Sequence, residues 1–263
     1  MRPPSKQVDW SPWAHRPGEA GVICDYDGTL AAIVDDPSTA KPLPGAREAL
    51  VALSGQLALV AVISGRPLGH LEPAFAPDGR FLLVGLYGME RLGPRTKGLV
   101  VDERALAWQG TVARAADDAE AHAPPGLDIE RKGLSVVLHA RRHPEVFPWA
   151  LEWASARAGS TGLVAQAGRL SVELLPPVPI DKGTVVAQLT EDLEAVCYLG
   201  DDTGDLPAFA ALRRMRARGK HTVSVGVSSP EQPAGLAGAV DILVDGPPGA
   251  LALLEGLSRV SAS

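Results

Sequence analysis

Short runs of consecutive apolar residues, each bounded by turn-forming residues, recur along the chain and predict the strands of a buried sheet. Six such runs are GVICDYD, LALVAVIS, FLLVGLYG, AVCYLGDD, HTVSVGV and DILVDG. Because their apolar character is continuous rather than alternating, both faces of each strand should be covered, as is typical of a parallel sheet. Segments with helical spacing, such as PGAREALVALSG and DKGTVVAQLTEDL, alternate with these runs. The pattern therefore predicts an α/β fold with a doubly wound parallel-sheet core.

The pattern changes after about residue 91, and the new pattern predicts an inserted second domain. A long helical pattern over about 101–121 is followed by two strands, LSVVLHAR and GRLSVELLP, in which apolar and polar residues alternate. Alternation means that one face of a sheet packs on helices while the other face is polar. We therefore divide the chain into a first core part, 1–91, an α+β cap, 92–178, and a second core part, 179–263.

Composition and charge exclude several functional classes. The chain has 263 residues, 46% of them hydrophobic, and a net charge of −6, so it can bury a core but lacks a basic field for nucleic acid or anionic lipid. No segment reaches the roughly 18 uncharged apolar residues of a membrane helix, and the N-terminal segment has no apolar stretch typical of a signal peptide. Cys24 and Cys197 lie in predicted core strands, as expected of free thiols in a reducing compartment. We expect a cytoplasmic monomer that acts on a small molecule and binds neither nucleic acid nor membrane.

Acidic residues follow two of the predicted strands. In GVICDYDGTL, Asp25 and Asp27 are two residues apart, so their side chains face the same way. In CYLGDDTGDL, the strand is followed by a second acidic group: Asp201, Asp202 and Asp205. Ligands of doubly wound sheets bind beyond the carboxyl ends of the strands, and clustered carboxylates need a cation or a proton between them. Together the two groups predict a Mg²⁺ site; on its own, the second could be a helix N-cap.

Two further segments predict phosphate binding at the same edge of the sheet. VISGRP ends a third strand with Ser64 and Gly65, whose hydroxyl and backbone N–H groups suit phosphate oxygens, and Thr29 supplies another hydroxyl beside Gly28. IDKGTVV places Lys182 at the start of a helix, where a cation opposes the positive end of the helix dipole. This misfit indicates a functional lysine, the alternative being a solvated surface lysine without a role.

Four motifs in this order, DYDGT, SGR, DKG and GDDTGD, resemble those of the haloacid dehalogenase superfamily of phosphotransferases. The resemblance implies that Asp25 is the nucleophile, which forms an aspartyl-phosphate, and that Asp27 is the general acid and then the base. It implies that Ser64 and Lys182 hold the phosphoryl group, and that Asp201 completes a Mg²⁺ site with Asp25 and the backbone region of Tyr26–Asp27. A carboxylate nucleophile divides phosphoester hydrolysis into two easier steps, while metal and lysine neutralise the phosphoryl oxygens.

Within the predicted cap, ERKGLSVVLHAR and GRLSVELLPP resemble segments that are typical of trehalose-6-phosphate phosphatases, and GLYGMER stands where that family has G-x-H-G-x-E. The resemblance implies hydrolysis of trehalose 6-phosphate. The residues expected to contact the sugar phosphate are Arg66, Glu90, Lys132, His139, Arg141 and Glu173. Alternation along the strands independently places His139, Arg141 and Glu173 on polar faces. Lys132 falls outside this alternation unless Gly133 forms a bulge.

The chain departs from the family pattern at several positions. Tyr87 stands where the pattern has histidine, Ala140 where it has tyrosine, and Leu175 where it has arginine. Gly204 and Leu206 replace its threonine and glutamate. Because the acidic residues are kept, these changes bear on sugar specificity rather than on phosphoryl chemistry. Two alternatives stay open: a phosphatase for another sugar phosphate, such as sucrose phosphate or a glycosyl-phosphoglycerate, and a phospho-accepting signalling module. Signalling modules of that kind are shorter and carry no cap.

Overall fold

The apolar runs form strands, and the segments between them form helices, in a computed structural model that describes residues 8–34, 37–75, 80–94, 96–229 and 232–261. The strands are β1 (Ala20–Cys24), β2 (Leu59–Ile63), β3 (Leu82–Gly85), β4 (Glu90–Leu92), β5 (Val100–Val101), β6 (Asp128–Arg131), β7 (Val136–His139), β8 (Val164–Gly168), β9 (Ser171–Leu175), β10 (Ala195–Gly200), β11 (His221–Val227) and β12 (Ile242–Val244). The helices are α1 (Ser11–His15), α2 (Ala46–Ser54), α3 (Leu68–Phe75), α4 (Glu103–Leu106), α5 (Gln109–His122), α6 (Phe147–Thr161), α7 (Lys182–Leu189), α8 (Leu206–Ala217), α9 (Leu236–Ala239) and α10 (Gly246–Ser261).

The chain divides into two compact units. One comprises Met1–Val100 with Ile180–Ser263, and the other comprises Val101–Pro179. We call the first the core and the second the cap. The domain limits inferred from the sequence, at residues 92 and 178, stay predictions. Within the described ranges, no helix combines the length and the hydropathy that crossing a bilayer requires.

The core sheet has the strand order β12-β11-β10-β1-β2-β3-β4-β5. Neighbouring strands from β12 to β3 are parallel, and β4 is antiparallel to β3. The predicted doubly wound sheet is therefore confirmed. The first strand along the chain, β1, is central. Strands β2 to β5 follow on one side of β1, and β10 to β12 lie on its other side. The carboxyl end of β1 is thus a topological switch point, where ligands bind in this class of fold.

Both faces of the core sheet are covered, which explains the continuous apolar runs. Successive residues of β1 enter different clusters: Val22 and Cys24 pack in a cluster with Leu50 of α2, while Ile23 packs in a second cluster with Phe209 of α8. Each fully buried side chain of this size contributes about 1.5–3 kcal/mol to stability. The sequence pattern does not predict β4 and β5, because both strands are short and neither is fully buried.

The cap contains a four-stranded antiparallel sheet with the order β6-β7-β9-β8. One face packs against α5 and α6 through an apolar cluster that includes Val136, Leu138, Val172 and Leu174. The opposite face is the polar one, as the alternation predicts. The edge strands β6 and β8 are not predicted from the sequence, because β6 is rich in charged residues and β8 is exposed throughout. The helix predicted over 101–121 is broken into α4 and α5.

Candidate active site

The first acidic pair lies at the carboxyl end of β1, as predicted. The Asp25 N–H donates to the carbonyl of Leu199 at 2.9 Å, so the parallel ladder with β10 continues up to this aspartate. The Tyr26 side chain lies in the apolar cluster that also holds Val22, and its hydroxyl donates to the Ala40 carbonyl at 3.0 Å. Asp25 is almost completely buried. A buried carboxylate at this edge of the sheet needs a charged partner.

Lys182, the first residue of α7, provides that partner. Its Nζ lies 2.7 Å from Asp25 Oδ1 and 2.6 Å from Asp205 Oδ1. Burial opposes the ammonium charge, but the carboxylates of Asp205 and Asp25 together raise the pKa of Lys182 well above its ordinary value. The helix start itself is capped by Asp181, which accepts a hydrogen bond from the Thr184 N–H. Lys182 is therefore a charged residue in contact with the candidate nucleophile.

Asp205 is hydrogen-bonded to side chains of α7 and β10 and to the backbone of the turn after β10. One carboxylate oxygen, Oδ1, accepts from Lys182 Nζ and from the Tyr198 hydroxyl, at 2.6 and 2.5 Å. The other, Oδ2, accepts from the backbone N–H groups of Asp201 and Asp202, at 2.8 and 3.1 Å. Four donors satisfy the four lone-pair sites of a carboxylate. Asp205 thus anchors the turn that carries Asp201 and Asp202.

Asp201 lies directly against the loop that follows β1. Gly28 has φ +75°, and a Cβ at this position would be 2.1 Å from Asp201 Oδ2, so only glycine fits here without displacing the carboxylate. The Thr29 hydroxyl lies 3.4 Å from Asp201 Oδ1. Ser229, two residues after the end of β11, also forms a hydrogen bond with Asp201. The pairing of β1 with β10 therefore brings the two acidic groups together.

The acidic cluster has the properties of a metal site. Carboxylate oxygens of Asp25, Asp202 and Asp205 lie within 4.8 Å of one another. Asp201 Oδ2 and Asp202 Oδ1 are buried and have no hydrogen-bond partner among the described residues. Burial, and next to it the charge of Asp205, raises the pKa of Asp201 to about 7 and that of Asp202 to about 6. Burial and Asp205 also raise the pKa of Asp25. Crowded, buried oxygen donors of this kind fit a hard divalent cation.

Asp27 has a different partner from the other acids. Its two carboxylate oxygens accept hydrogen bonds from Nε and Nη2 of Arg66, both at 2.8 Å. Arg66 also donates from Nη1 to the Pro37 carbonyl at 2.8 Å. A bidentate arginine fixes the plane of a carboxylate as well as its position. Arg66 therefore orients Asp27. The contact of Arg66 with sugar and the role of Asp27 as a metal ligand stay predictions.

The remaining predicted residues of the core lie in the loop between β2 and α3 or beside it. Ser64 is buried, and its Oγ accepts from the Arg66 N–H at 3.1 Å. Gly65 lies between these two residues. Glu90, at the start of β4, accepts a hydrogen bond through Oε2 from the Leu68 N–H at 2.7 Å, so its carboxylate contacts the first turn of α3. Its contact with sugar stays a prediction.

The polar face of the cap sheet carries the predicted sugar-binding residues. Glu173 accepts from the Ser135 hydroxyl at 2.6 Å and from Lys132 Nζ at 3.4 Å. His139 Nε2 lies 2.8 Å from Glu130 Oε2. Strand pairing places Glu130 opposite Val137, which is itself opposite Glu173, so these side chains share one face. Arg141 follows the end of β7.

Lys132 reaches this face through a hairpin turn, not through the bulge considered from the sequence. Its N–H donates to the Ser135 carbonyl at 2.9 Å, and Gly133 supplies the positive φ, +83°, that a tight turn between β6 and β7 needs. The sequence pattern does not predict this turn, because it does not predict β6 as a strand.

Four residues that are hydrogen-bonded to predicted site residues are not themselves among those predicted: Glu130, Ser135, Tyr198 and Ser229. Glu130 and Ser135 stand within ERKGLSVVLHAR, whose match to the family pattern was the available signal. Tyr198 is a hydroxyl-bearing residue in the otherwise apolar run AVCYLG, two residues from Gly200 on the same strand. Ser229 has no comparable signal, because its partner Asp201 is distant in the chain.

The sequence of this chain is similar to those of known proteins. The family model described as trehalose-phosphatase matches residues 23–236. A trehalose-phosphate phosphatase of Mycobacterium avium is 34% identical over 202 residues, which are 73% of this chain and 51% of that protein. An uncharacterised glycosyl hydrolase of Mycobacterium tuberculosis is 36% identical over 203 residues, 73% of this chain but 15% of that protein. The chain thus spans about half the length of the first relative and much less of the second.

The fold is also found among solved structures. The C-terminal domain of trehalose-6-phosphate phosphatase from Candida albicans superposes with a TM-score of 0.76 at 22% identity, covering 95% of both chains. A trehalose-6-phosphate phosphatase related protein superposes with a TM-score of 0.77 at 19% identity, covering 92% of this chain and 98% of that one. At these identities the similarity establishes the architecture of core and cap.

Proposed function

Because this chain belongs to the trehalose-phosphatase family, we propose that it hydrolyses trehalose 6-phosphate to trehalose and phosphate. One observation carries the proposal: Asp25, at the switch point of the sheet, is held 2.7 Å from the buried amine of Lys182 beside three further aspartates. A carboxylate nucleophile, a cation for the phosphoryl oxygens and oxygen donors for a metal are what phosphoryl transfer through an aspartyl-phosphate requires.

The proposed reaction has two steps. A carboxylate oxygen of Asp25 attacks phosphorus, the bond from phosphorus to the sugar oxygen breaks, and Asp27 donates its proton to the leaving sugar oxygen. Asp27, now a carboxylate, then takes a proton from a water molecule that attacks the aspartyl-phosphate. Phosphate leaves and the Asp25 carboxylate is restored. The two hydrogen bonds from Arg66 support the second step, because they hold the Asp27 carboxylate in one orientation.

The phosphoryl group would be bound by Lys182, Ser64, the Gly65 backbone and Thr29. Mg²⁺ would neutralise phosphoryl oxygens when bound. Among its predicted ligands, Asp25, Asp201 and Asp202 are the best placed. Asp201 and Asp202 each have a buried oxygen without a partner among the described residues, whereas Asp205 accepts four hydrogen bonds. Asp27 and Asp205 would then act beside the metal.

Sugar hydroxyls would be bound by the polar face of the cap. Lys132 and Glu173 support this proposal because they contact each other on that face, as do His139 and Glu130. A set of charged donors and acceptors on one sheet face suits a polyhydroxylated ligand. Arg141 belongs to the same proposed set.

The test is phosphate release from trehalose 6-phosphate, measured with Mg²⁺ and with a chelator, beside sucrose phosphate and a glycosyl-phosphoglycerate. We expect Mg²⁺-dependent release, with trehalose 6-phosphate favoured in kcat/KM by at least about tenfold, which corresponds to about 1.4 kcal/mol. Asp25→Asn should abolish release while leaving the fold intact, which a cooperative thermal unfolding transition would show. Near-normal turnover by Asp25→Asn would refute the nucleophile, and a stable phosphoprotein without turnover would favour the signalling alternative.

Glu173→Ala tests the cap. This variant should lose turnover of trehalose 6-phosphate far more than turnover of p-nitrophenyl phosphate, whose leaving group carries no sugar hydroxyls. Equal losses on both substrates would contradict the assignment of the cap face to sugar.

The monomeric state and the cytoplasmic location are also proposals. Cys24 and Cys197 support a reducing location because both are buried free thiols. Size-exclusion chromatography with light scattering and fractionation of the source cells would test the two.

A further inference from the structure

The turn between β3 and β4 is strained, and no role in the proposed reaction explains it. Leu86 and Tyr87 have φ of +48° and +59°, and Gly88 follows with +124°. Two consecutive non-glycine residues in the left-handed region are unfavourable. Among the described residues, Leu170 is the one other non-glycine with positive φ. Such strain persists where surrounding contacts enforce it, and it concentrates at functional sites.

The strained turn is hydrogen-bonded to both ends of the phosphate-binding loop. The Tyr87 N–H donates to the Ser64 carbonyl at 2.9 Å, and the Leu86 N–H donates to the Arg66 carbonyl at 2.9 Å. In a trans peptide the carbonyl and the following N–H point in opposite directions. Fixing the Ser64 carbonyl towards the turn therefore directs the Gly65 N–H away from it.

The Tyr87 ring packs directly on the same loop. A Cβ at Gly65 would lie 2.7 Å from both Cζ and the hydroxyl oxygen of Tyr87. The end of the ring therefore occupies the space that a side chain at residue 65 would take. This contact is specific to a long aromatic residue, and the family pattern has histidine at this position. The ring and the backbone of the turn thus hold the loop from one side.

The turn also contacts the element that carries the phosphate-binding lysine. A Cβ at Gly88 would lie 2.4 Å from Val185 Cγ2 and 2.7 Å from Ile180 Cδ1. Val185 is on α7, which begins at Lys182, and Ile180 precedes that helix. The turn Leu86–Gly88 therefore lies between the loop of Ser64 and the helix of Lys182, in contact with both.

We propose that Tyr87 is a positioning residue for phosphoryl transfer. Its ring and its strained backbone hold Ser64–Arg66 at a set distance from α7, so that the Ser64 hydroxyl, the Gly65 N–H and the Lys182 amine converge on one phosphoryl group. Through Arg66, the same contact holds Asp27. The inference rests on the proposed function, because it takes the roles of these residues from it.

Three substitutions separate the ring from the backbone strain. Tyr87→Phe keeps both, Tyr87→Ala removes the ring and keeps the strain, and Tyr87→Gly removes both. With p-nitrophenyl phosphate, we expect kcat to fall by about 10–100-fold in the Ala and Gly variants, the loss typical of a misplacement of about 1 Å. Tyr87→Phe should stay within about threefold of wild type, since the ring still packs on Gly65. Inorganic phosphate, titrated by calorimetry, should bind about tenfold more weakly to the Ala and Gly variants.

Comparing melting temperature with kcat distinguishes a positioning role from a purely structural one, in which kcat would fall only as stability falls. Because glycine tolerates the left-handed region, Tyr87→Gly should melt about 2–4 °C above Tyr87→Ala while losing as much kcat. Leu170→Gly, in the hairpin between β8 and β9, is the matched control: it relieves the same backbone strain and should leave kcat with p-nitrophenyl phosphate unchanged.

Two results would overturn the inference: activity that follows melting temperature across the three variants, or phosphate affinity that is the same in all of them. Failure of wild type on trehalose 6-phosphate alone would count against the proposed substrate and not against Tyr87, because the phosphate titration and the aryl phosphate assay do not depend on the sugar.

Discussion

Gly28→Ala should destabilise the protein and disturb the proposed metal site, because the new methyl group would overlap the Asp201 carboxylate. Two costs add. A non-glycine residue at φ +75° costs about 1–2 kcal/mol. The Cβ would also lie 2.1 Å from Asp201 Oδ2 and 2.4 Å from its Cγ, where ordinary contacts begin at 3.4 Å. Asp201 would have to move by more than 1 Å, and overpacking of this kind costs about 1–3 kcal/mol.

Gly219→Ala separates the two costs. Gly219 has φ +93° at the end of α8, and a Cβ there would have nothing within 4 Å. This control should therefore lose only about 1–2 kcal/mol from backbone strain. The excess loss in Gly28→Ala, about 1–3 kcal/mol, should lower its melting temperature by about 2–12 °C relative to the control. Thermal unfolding of both variants, measured with a chelator present, checks the difference.

Metal binding gives the second measurement. Calorimetric titration should show weaker Mg²⁺ binding by Gly28→Ala and unchanged binding by Gly219→Ala, since only the first displaces Asp201. Adding Asp201→Ala to Gly28→Ala removes the overlap, so the double variant should recover stability without recovering Mg²⁺ affinity. If Gly28→Ala melts together with Gly219→Ala and binds Mg²⁺ as the wild type does, the predicted overlap with Asp201 is refuted.

Two further predictions concern the same acidic cluster. In the metal-free protein, burial raises the pKa of Asp201 to about 7 and that of Asp202 to about 6, above the ordinary 3.8. The folded protein therefore binds protons at these carboxyl groups more tightly than the unfolded chain does. The stability that these groups contribute should be greatest below pH 3.8 and be lost as pH rises through 6 to 7. Melting curves across pH with chelator should show this loss, and Mg²⁺ should remove it; a gain over the same range would contradict the assignment. Tyr198→Phe removes one donor from the buried Asp205 carboxylate and should cost about 1.5–3 kcal/mol in urea unfolding, against about 0.5–1.5 kcal/mol for Tyr26→Phe, whose hydroxyl donates to a neutral carbonyl. Equal losses in the two variants would contradict the charge of Asp205.

Much of the core could be predicted from the sequence because its signals are local. Continuous apolar runs identify strands that are covered on both faces, and β1 enters two clusters as that pattern requires. The spacing of Asp25 and Asp27 and the position of Lys182 at the start of α7 are likewise local features. The edge strands β6 and β8 escaped prediction because exposure and charge remove the apolar pattern on which the assignment depends.

The sequence by itself determined which residues end the strands of the core and which polar residues alternate along β7 and β9 of the cap. The tertiary structure alone decided how those residues pair. Asp205 anchors a turn and Lys182, Asp201 faces Gly28, and Asp27 is held by Arg66. The Leu86–Gly88 turn likewise contacts both the Ser64–Arg66 loop and α7. The physical reason is that chain spacing sets the face on which a side chain lies. The partner of a side chain depends on which strand, distant in the chain, lies next to its own strand. Here the pairing of β1 with β10 brings the two acidic groups together.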